Sequence, residues 1–172
     1  MALTRIGLNQ SINLASNVTG TLPTGNGGTG ATSFAPGKVL QVQHQEITTT
    51  VETTSDSFVD TGFSLAITPA STSSKILCVV NLQSLGKANS NTSALSVRIV
   101  RTSTDIGRTT NMMYQYDNAS TYQTASIVKL DSPSTNSATT YKVTFKNRET
   151  NAVHFNAYTG DTSTFTLYEI GA

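Results

Sequence analysis

Two histidines, one cysteine and ten acidic residues are the whole stock from which this 172-residue chain could build a metal site or an acid–base pair. His44, Cys78 and His154 stand far apart in sequence, without the paired spacing that zinc ligands require. Asp105, Asp117, Asp131 and Asp161 are scattered through expected loops, and none opens a D-x-D-x-D-G calcium loop. Nucleophilic catalysis needs a nucleophile beside a base, and no Gly-x-Ser-x-Gly elbow accompanies either histidine. Carboxylates for glycoside hydrolysis would have to be assembled across strands. Asp56 and Asp60 flank one turn and Glu149 and Asp161 flank others, where such side chains bond their own backbone. The expectation is a protein that is not an enzyme and holds no cofactor or metal.

One phosphate-binding pattern is present and is refused by its context. Gly25, Gly27 and Gly30 satisfy G-x-G-x-x-G, which in dinucleotide-binding folds joins a strand to a helix. No apolar strand leads into Gly25, and Ala31 to Pro36 has no helical period. The ribose-holding acid should follow about 20 residues on, but the nearest candidate, Glu46, falls within the first expected strand.

The longer stretch from Asn17 to Thr32 contains five glycines and Pro23 and cannot be a helix. Its wording, Gly-Thr-Leu-Pro-Thr-Gly-Asn-Gly-Gly-Thr-Gly-Ala-Thr from Gly20, resembles a connector of bacteriophage tail-fibre and related virion proteins. The resemblance implies that Gly20, Pro23, Gly25, Gly27, Gly28 and Gly30 join an anchoring segment to a terminal knob. It also implies a place in the virion, after assembly in the host cytoplasm. The implied role is a small tail fibre or fibre tip contributing to host attachment, with a tail adaptor or capsid protein and a host glycan or receptor as partners. Tail fibres usually carry a long shaft, which this chain lacks, so a capsid decoration protein stabilising the head is the alternative. A free β-sandwich lectin is a third reading.

Composition narrows the rest. Hydrophobic residues make up 37% and charged residues 12%, with a net charge of +1, against about 25% charged in ordinary soluble domains. Abundant threonine and valine, stiff at χ1, bias the chain to strands. Arg98, Arg101 and Arg108 are the one loose cationic grouping, and a solvated strand face explains them at least as well as a phosphate backbone would. Neither nucleic acid nor membrane insertion is expected. Cys78, alone in Ile-Leu-Cys-Val-Val, is expected to be a small buried hydrophobe.

Texture changes at Pro36-Gly37, so residues 1–36 are expected to be an extended virion-attachment arm and residues 37–172 a β-sandwich. In the arm, Leu3, Ile6, Leu8, Ile12 and Leu14 are spaced for neither helix nor strand but suffice for an anchor. Extended arms leave backbone groups unpaired, which wrapping around a threefold axis would satisfy. A homotrimer is therefore expected.

After Pro36 short segments of two-residue period alternate with turn formers. Lys38 to Val51 places Leu40, Val42 and His44 on one face. Phe63 to Ile67, Leu95 to Ile99, Met112 to Tyr116, Tyr122 to Leu130, Tyr141 to Phe145, Val153 to Ala157 and Phe165 to Ile170 follow the same logic. Lys75 to Leu85 is apolar on both faces, as a central strand would be. About nine strands at this spacing predict an all-β, jelly-roll-like sandwich. Tyr114, Tyr116 and Tyr122, around a loop carrying Asn118, could stack on sugar faces. Packing along the sandwich edge, with the hydroxyls wet, accounts for them equally well.

Overall fold

The computed structural model describes residues 39–87, 92–116, 119–149 and 151–171. The arm, the connector, the boundary at residue 36 and Asn118 lie outside the described residues. So do the arm aliphatics Leu3, Ile6, Leu8, Ile12 and Leu14.

Among the described residues ten strands form, β1 Val39–Ile47, β2 Val51–Thr53, β3 Val59–Ile67, β4 Lys75–Lys87, β5 Ser93–Arg101, β6 Thr104–Gln115, β7 Thr121–Asp131, β8 Thr139–Asn147, β9 Val153–Phe155 and β10 Ser163–Ile170. The sequence expectation of nine differs by one break. The stretch from Lys38 to Val51 is not one strand, because pairing with β10 ends at Ile47 and Val51 turns to pair with Phe155 of β9.

The pairings are nested. β1 pairs β10, β3 pairs β8, β4 pairs β7 and β5 pairs β6, all antiparallel, so the eight long strands are one long hairpin whose tip joins Arg101 to Thr104. Two further pairings, β10 with β4 and β5 with β8, roll this hairpin into two sheets. One sheet has the order β1-β10-β4-β7, with the short β9 and β2 added beyond β10 on β4, and the other reads β3-β8-β5-β6. A nested hairpin folded across two sheets is a jelly roll, so the described residues form an all-β jelly-roll sandwich.

Between the sheets lies one core. Phe63 stacks on Phe155 at 6.0 Å between ring centroids and meets Phe165 edge-on at 6.2 Å, and Phe145 meets Phe155 edge-on at 5.9 Å. Ile76, Cys78, Val80 and Leu82 of β4 enter it from one sheet and Val97, Ile99, Val143 and Phe145 from the other. The face of β4 bearing Leu77 and Val79 is half-exposed, so that strand is fully covered on one side only.

Burial also fixes the chemistry of Cys78. Loss of water around the thiol, assisted by the charge of Asp131, pushes its pKa up to about 12. An acid raised in the folded state contributes stability that is whole below its ordinary pKa of 9.0 and is lost as pH rises through about 12. At pH 8 a disulfide reagent should therefore react with the native thiol at least about a thousandfold more slowly than with a free one. Denaturant should restore the ordinary rate. A fast reaction in the native protein would refute the buried placement.

Candidate functional site

The outer face of the six-stranded sheet carries the molecule's most unusual surface, and the phase of β1 is its first sign. Gln41, Gln43 and Gln45 are half-buried on the inner side of that strand, whereas Leu40 and Val42, each 48% exposed, point outward with His44. A slip of one residue would invert this. Hydrogen bonds hold it: Gln41 donates to Glu169 and to the Thr68 carbonyl, both at 2.7 Å. Gln45 donates to the Gly62 carbonyl and accepts from the Ser64 amide. Glu169 is fully buried. Burial alone would raise its carboxyl, but bonds from Gln41 and the Ala70 amide outweigh that and leave its pKa lowered.

Cross-strand rows then extend the outward apolar set over all four long strands. Val42 lies opposite Tyr168, Tyr168 opposite Leu77 and Leu77 opposite Leu130. The next row runs His44, Thr166, Val79, Val128. Exposure peaks on the flanking strands, at 62% for Val128 and 48% for both Leu130 and Val42. Further along the same face the rows turn polar and bond to one another: Ser126 to Asn81, Asn81 to Thr164, and Thr124 to Gln83.

The far end of that face is aromatic. Tyr122 on β7, Gly86 on β4, His154 on β9 and Glu52 on β2 form one row. The Tyr122 ring lies directly over Gly86, where an added Cβ would come within 2.5 Å of both that ring and the Thr121 carbonyl, so no side chain fits. Tyr122 contacts His154 at 5.7 Å and Tyr158 at 5.0 Å between ring centroids. Asp161 accepts the Tyr158 amide at 2.9 Å in a turn that Gly160 closes with φ +96°. His154 is 6% exposed and its Nε2 is buried without a hydrogen-bond partner. Burial lowers its pKa, with Glu52 4.0 Å away opposing the shift, so the ring is neutral at pH 7.

Tyr122 joins Tyr158 and His154, while Tyr114 and Tyr116, 53% and 79% exposed, stand at the end of β6 and just beyond it. A cue for the close packing at this end was the lone glycine inside β4, since a strand glycine marks close approach.

The opposite sheet has a cationic outer face. Arg98 faces Arg108 across β5 and β6, a pairing that like charges would disfavour. Asp105 relieves it, accepting from Arg108 Nε at 2.9 Å and lying 3.9 Å from Arg98. The Phe58 ring does so too, with Arg98 4.2 Å, Lys146 5.3 Å and Arg108 5.8 Å from its centroid. Arg101 does not belong to this group; its guanidinium points inward to Asp131. Among the described residues no three of His, Cys, Asp and Glu come together as metal ligands, and no helix is long and apolar enough to cross a membrane.

No family model matches the chain, and no curated protein matches it by sequence. Among solved structures it is similar to the infectious bursal disease virus Gx strain structure, at 14% identity and a TM-score of 0.38. It is likewise similar to the VP2 subviral particle of that virus, at 12% identity and a TM-score of 0.36. Each match covers 88% of this chain and 43% of the other, so the chain spans less than half the length of these neighbours. The jelly-roll assignment stands on this chain's own strand pairing.

Proposed function

We propose that this chain is a bacteriophage virion structural protein, a small homotrimeric tail fibre or fibre tip. Residues 1–36 attach it to the particle, and the jelly-roll head contributes to host attachment. The observation that carries the reading is the juxtaposition of a connector of phage-fibre wording with a jelly roll that begins at Val39, where a terminal knob would begin. The jelly roll alone serves capsids, lectins and enzymes alike, so the connector supplies the direction. The head's exposed Tyr122 and Tyr158, braced by neutral His154, form a platform on which a sugar face of a host glycan can stack.

Immunogold labelling or density on intact particles should place the protein at the tail. Free protein added to host cells should block phage adsorption. Replacing both Tyr122 and Tyr158 by alanine should weaken that block roughly thirtyfold, at about 1 kcal/mol per ring. Density on the capsid with no effect on adsorption would transfer the protein to the decoration role. Absence from purified virions would end the virion reading.

A further inference from the structure

The geometry points to the apolar outer face of the β1-β10-β4-β7 sheet as the surface on which copies of this chain assemble, with the β1 flank of one copy meeting the β7 flank of the next. This deepens the homotrimer in the proposed function and rests on that reading for the number of copies.

Three observations carry it. The chain spends glutamine on the inner side of β1 and leaves Leu40 and Val42 outside, held there by the Gln41 and Gln45 hydrogen bonds. Apolar side chains kept outward against the usual alternation mark a surface that another surface covers. The face is also large enough. The whole outer face, its two apolar rows together with the polar rows beside them, spans four strands about 4.8 Å apart and about eight residues long, a projected area on the order of 500 Å², with accessible area larger still. That is commensurate with the roughly 800 Å² that each partner contributes to a stable interface.

Charge and exposure select the occupant. The rows Val42–Tyr168–Leu77–Leu130 and His44–Thr166–Val79–Val128 contain no Asp, Glu, Lys or Arg, and the charges that border them, Lys75 on β4 and Glu46 on β1, are of opposite sign. Copies can therefore bring these two rows together without like-charge repulsion between them. Exposure is greatest on the two outer strands, β1 and β7. Around a rotation axis, those are the strands that successive copies bring together, with the central Tyr168 and Leu77 turned toward the axis.

Full-length protein at micromolar concentration should sediment at about three times its 18.2 kDa chain mass. Val42→Lys and Leu130→Glu, each at a half-exposed position, should each shift the mass to that of one chain with the β-sheet circular dichroism and melting transition retained. Within one chain these positions lie in the same row with β10 and β4 between them, about 14 Å apart. That is too far for an ion pair. The double variant should therefore regain the assembled mass only through pairing between copies, and should lose it again at high salt.

A monomeric wild type would overturn the proposal, and so would single variants that stay assembled or a double variant that stays monomeric. A monomeric wild type whose Val42→Cys variant resists alkylation would show that some other occupant covers the face, residues 1–38 of the chain among them. Copy location on virions is read separately. A protein found on particles but monomeric in solution loses this interface and keeps the virion reading, whereas an assembled protein absent from virions does the reverse.

Discussion

Replacing Phe155 by alanine is expected to destabilise the head by about 3–5 kcal/mol, the range for a fully buried phenylalanine. The ring is 0% exposed and lies between Phe63 and Phe145, one stacked and one edge-on. Loss of those two pairings adds to the cavity itself. The position is unusually sensitive because β9 has only three residues and cannot hold itself in place through its ladder. It is anchored by Val153 and Phe155 in the core, so truncation should also loosen β2, whose three residues pair only with β9. Urea unfolding at fixed protein concentration should show a midpoint lower by about 1–2 M for a slope near 2–3 kcal/mol/M. Phe155→Leu, which keeps most of the volume, should recover over half of the loss. A cost under about 1 kcal/mol for Phe155→Ala would mean that the aromatic cluster does not organise this core.

Most of this core was legible in the sequence because two-residue alternation reports which residues share a face. Phe63, Leu65 and Ile67, then Tyr141, Val143 and Phe145, are placed on strands that form, and Ile76, Cys78, Val80 and Leu82 do line the interior. Alternation does not report which face is inside. In β1 Leu40 and Val42 face out and the glutamines in, because Gln41 finds Glu169 and Gln45 finds the β3 backbone, partners on other strands that no local pattern displays. The break between β1 and β2 was equally hidden: Ile-Thr-Thr-Thr-Val is β-branched throughout, and only the ends of the β10 and β9 pairings decide where the strand stops.

The candidate surfaces were less legible, for a related reason. Tyr122 was singled out from its place beside the loop carrying Asn118, yet the row it joins draws Gly86, His154 and Glu52 from three other strands. Such a row exists only after the hairpin has rolled up. The arginines show the same limit. Arg98 and Arg108 are drawn together by register across β5 and β6, while Arg101 has the inward parity and leaves the group.

That inward arginine sets up the second large effect. Asp131, at the end of β7, accepts from Arg101 Nη1 with both oxygens, at 2.9 and 2.8 Å, and from the Tyr141 hydroxyl at 2.7 Å. One carboxylate thereby ties β7 of one sheet to β5 and β8 of the other. Burial, with the bond to Asp131, pushes the Tyr141 phenol above its ordinary range, so it is a donor at every working pH. Asp131→Ala strands a fully buried hydroxyl and removes the guanidinium's carboxylate partner, leaving it the Ser132 carbonyl. The expected cost is about 3 kcal/mol, at the lower end for a broken buried pair because Arg101 keeps some solvent access. Asp131→Asn retains an acceptor for Tyr141 and should cost about half as much. Tyr141→Phe should cost about 1 kcal/mol, and the double variant should fall short of the sum. Additive losses would show that the three groups do not act as one clamp. Since Asp131 and Tyr122 lie at opposite ends of β7, the Asp131 variants should lose stability while each folded molecule keeps the proposed block of adsorption at the wild-type level. A parallel loss of blocking would mean that the clamp governs the shape of the aromatic end, and that the two ends of the jelly roll are mechanically coupled through β7.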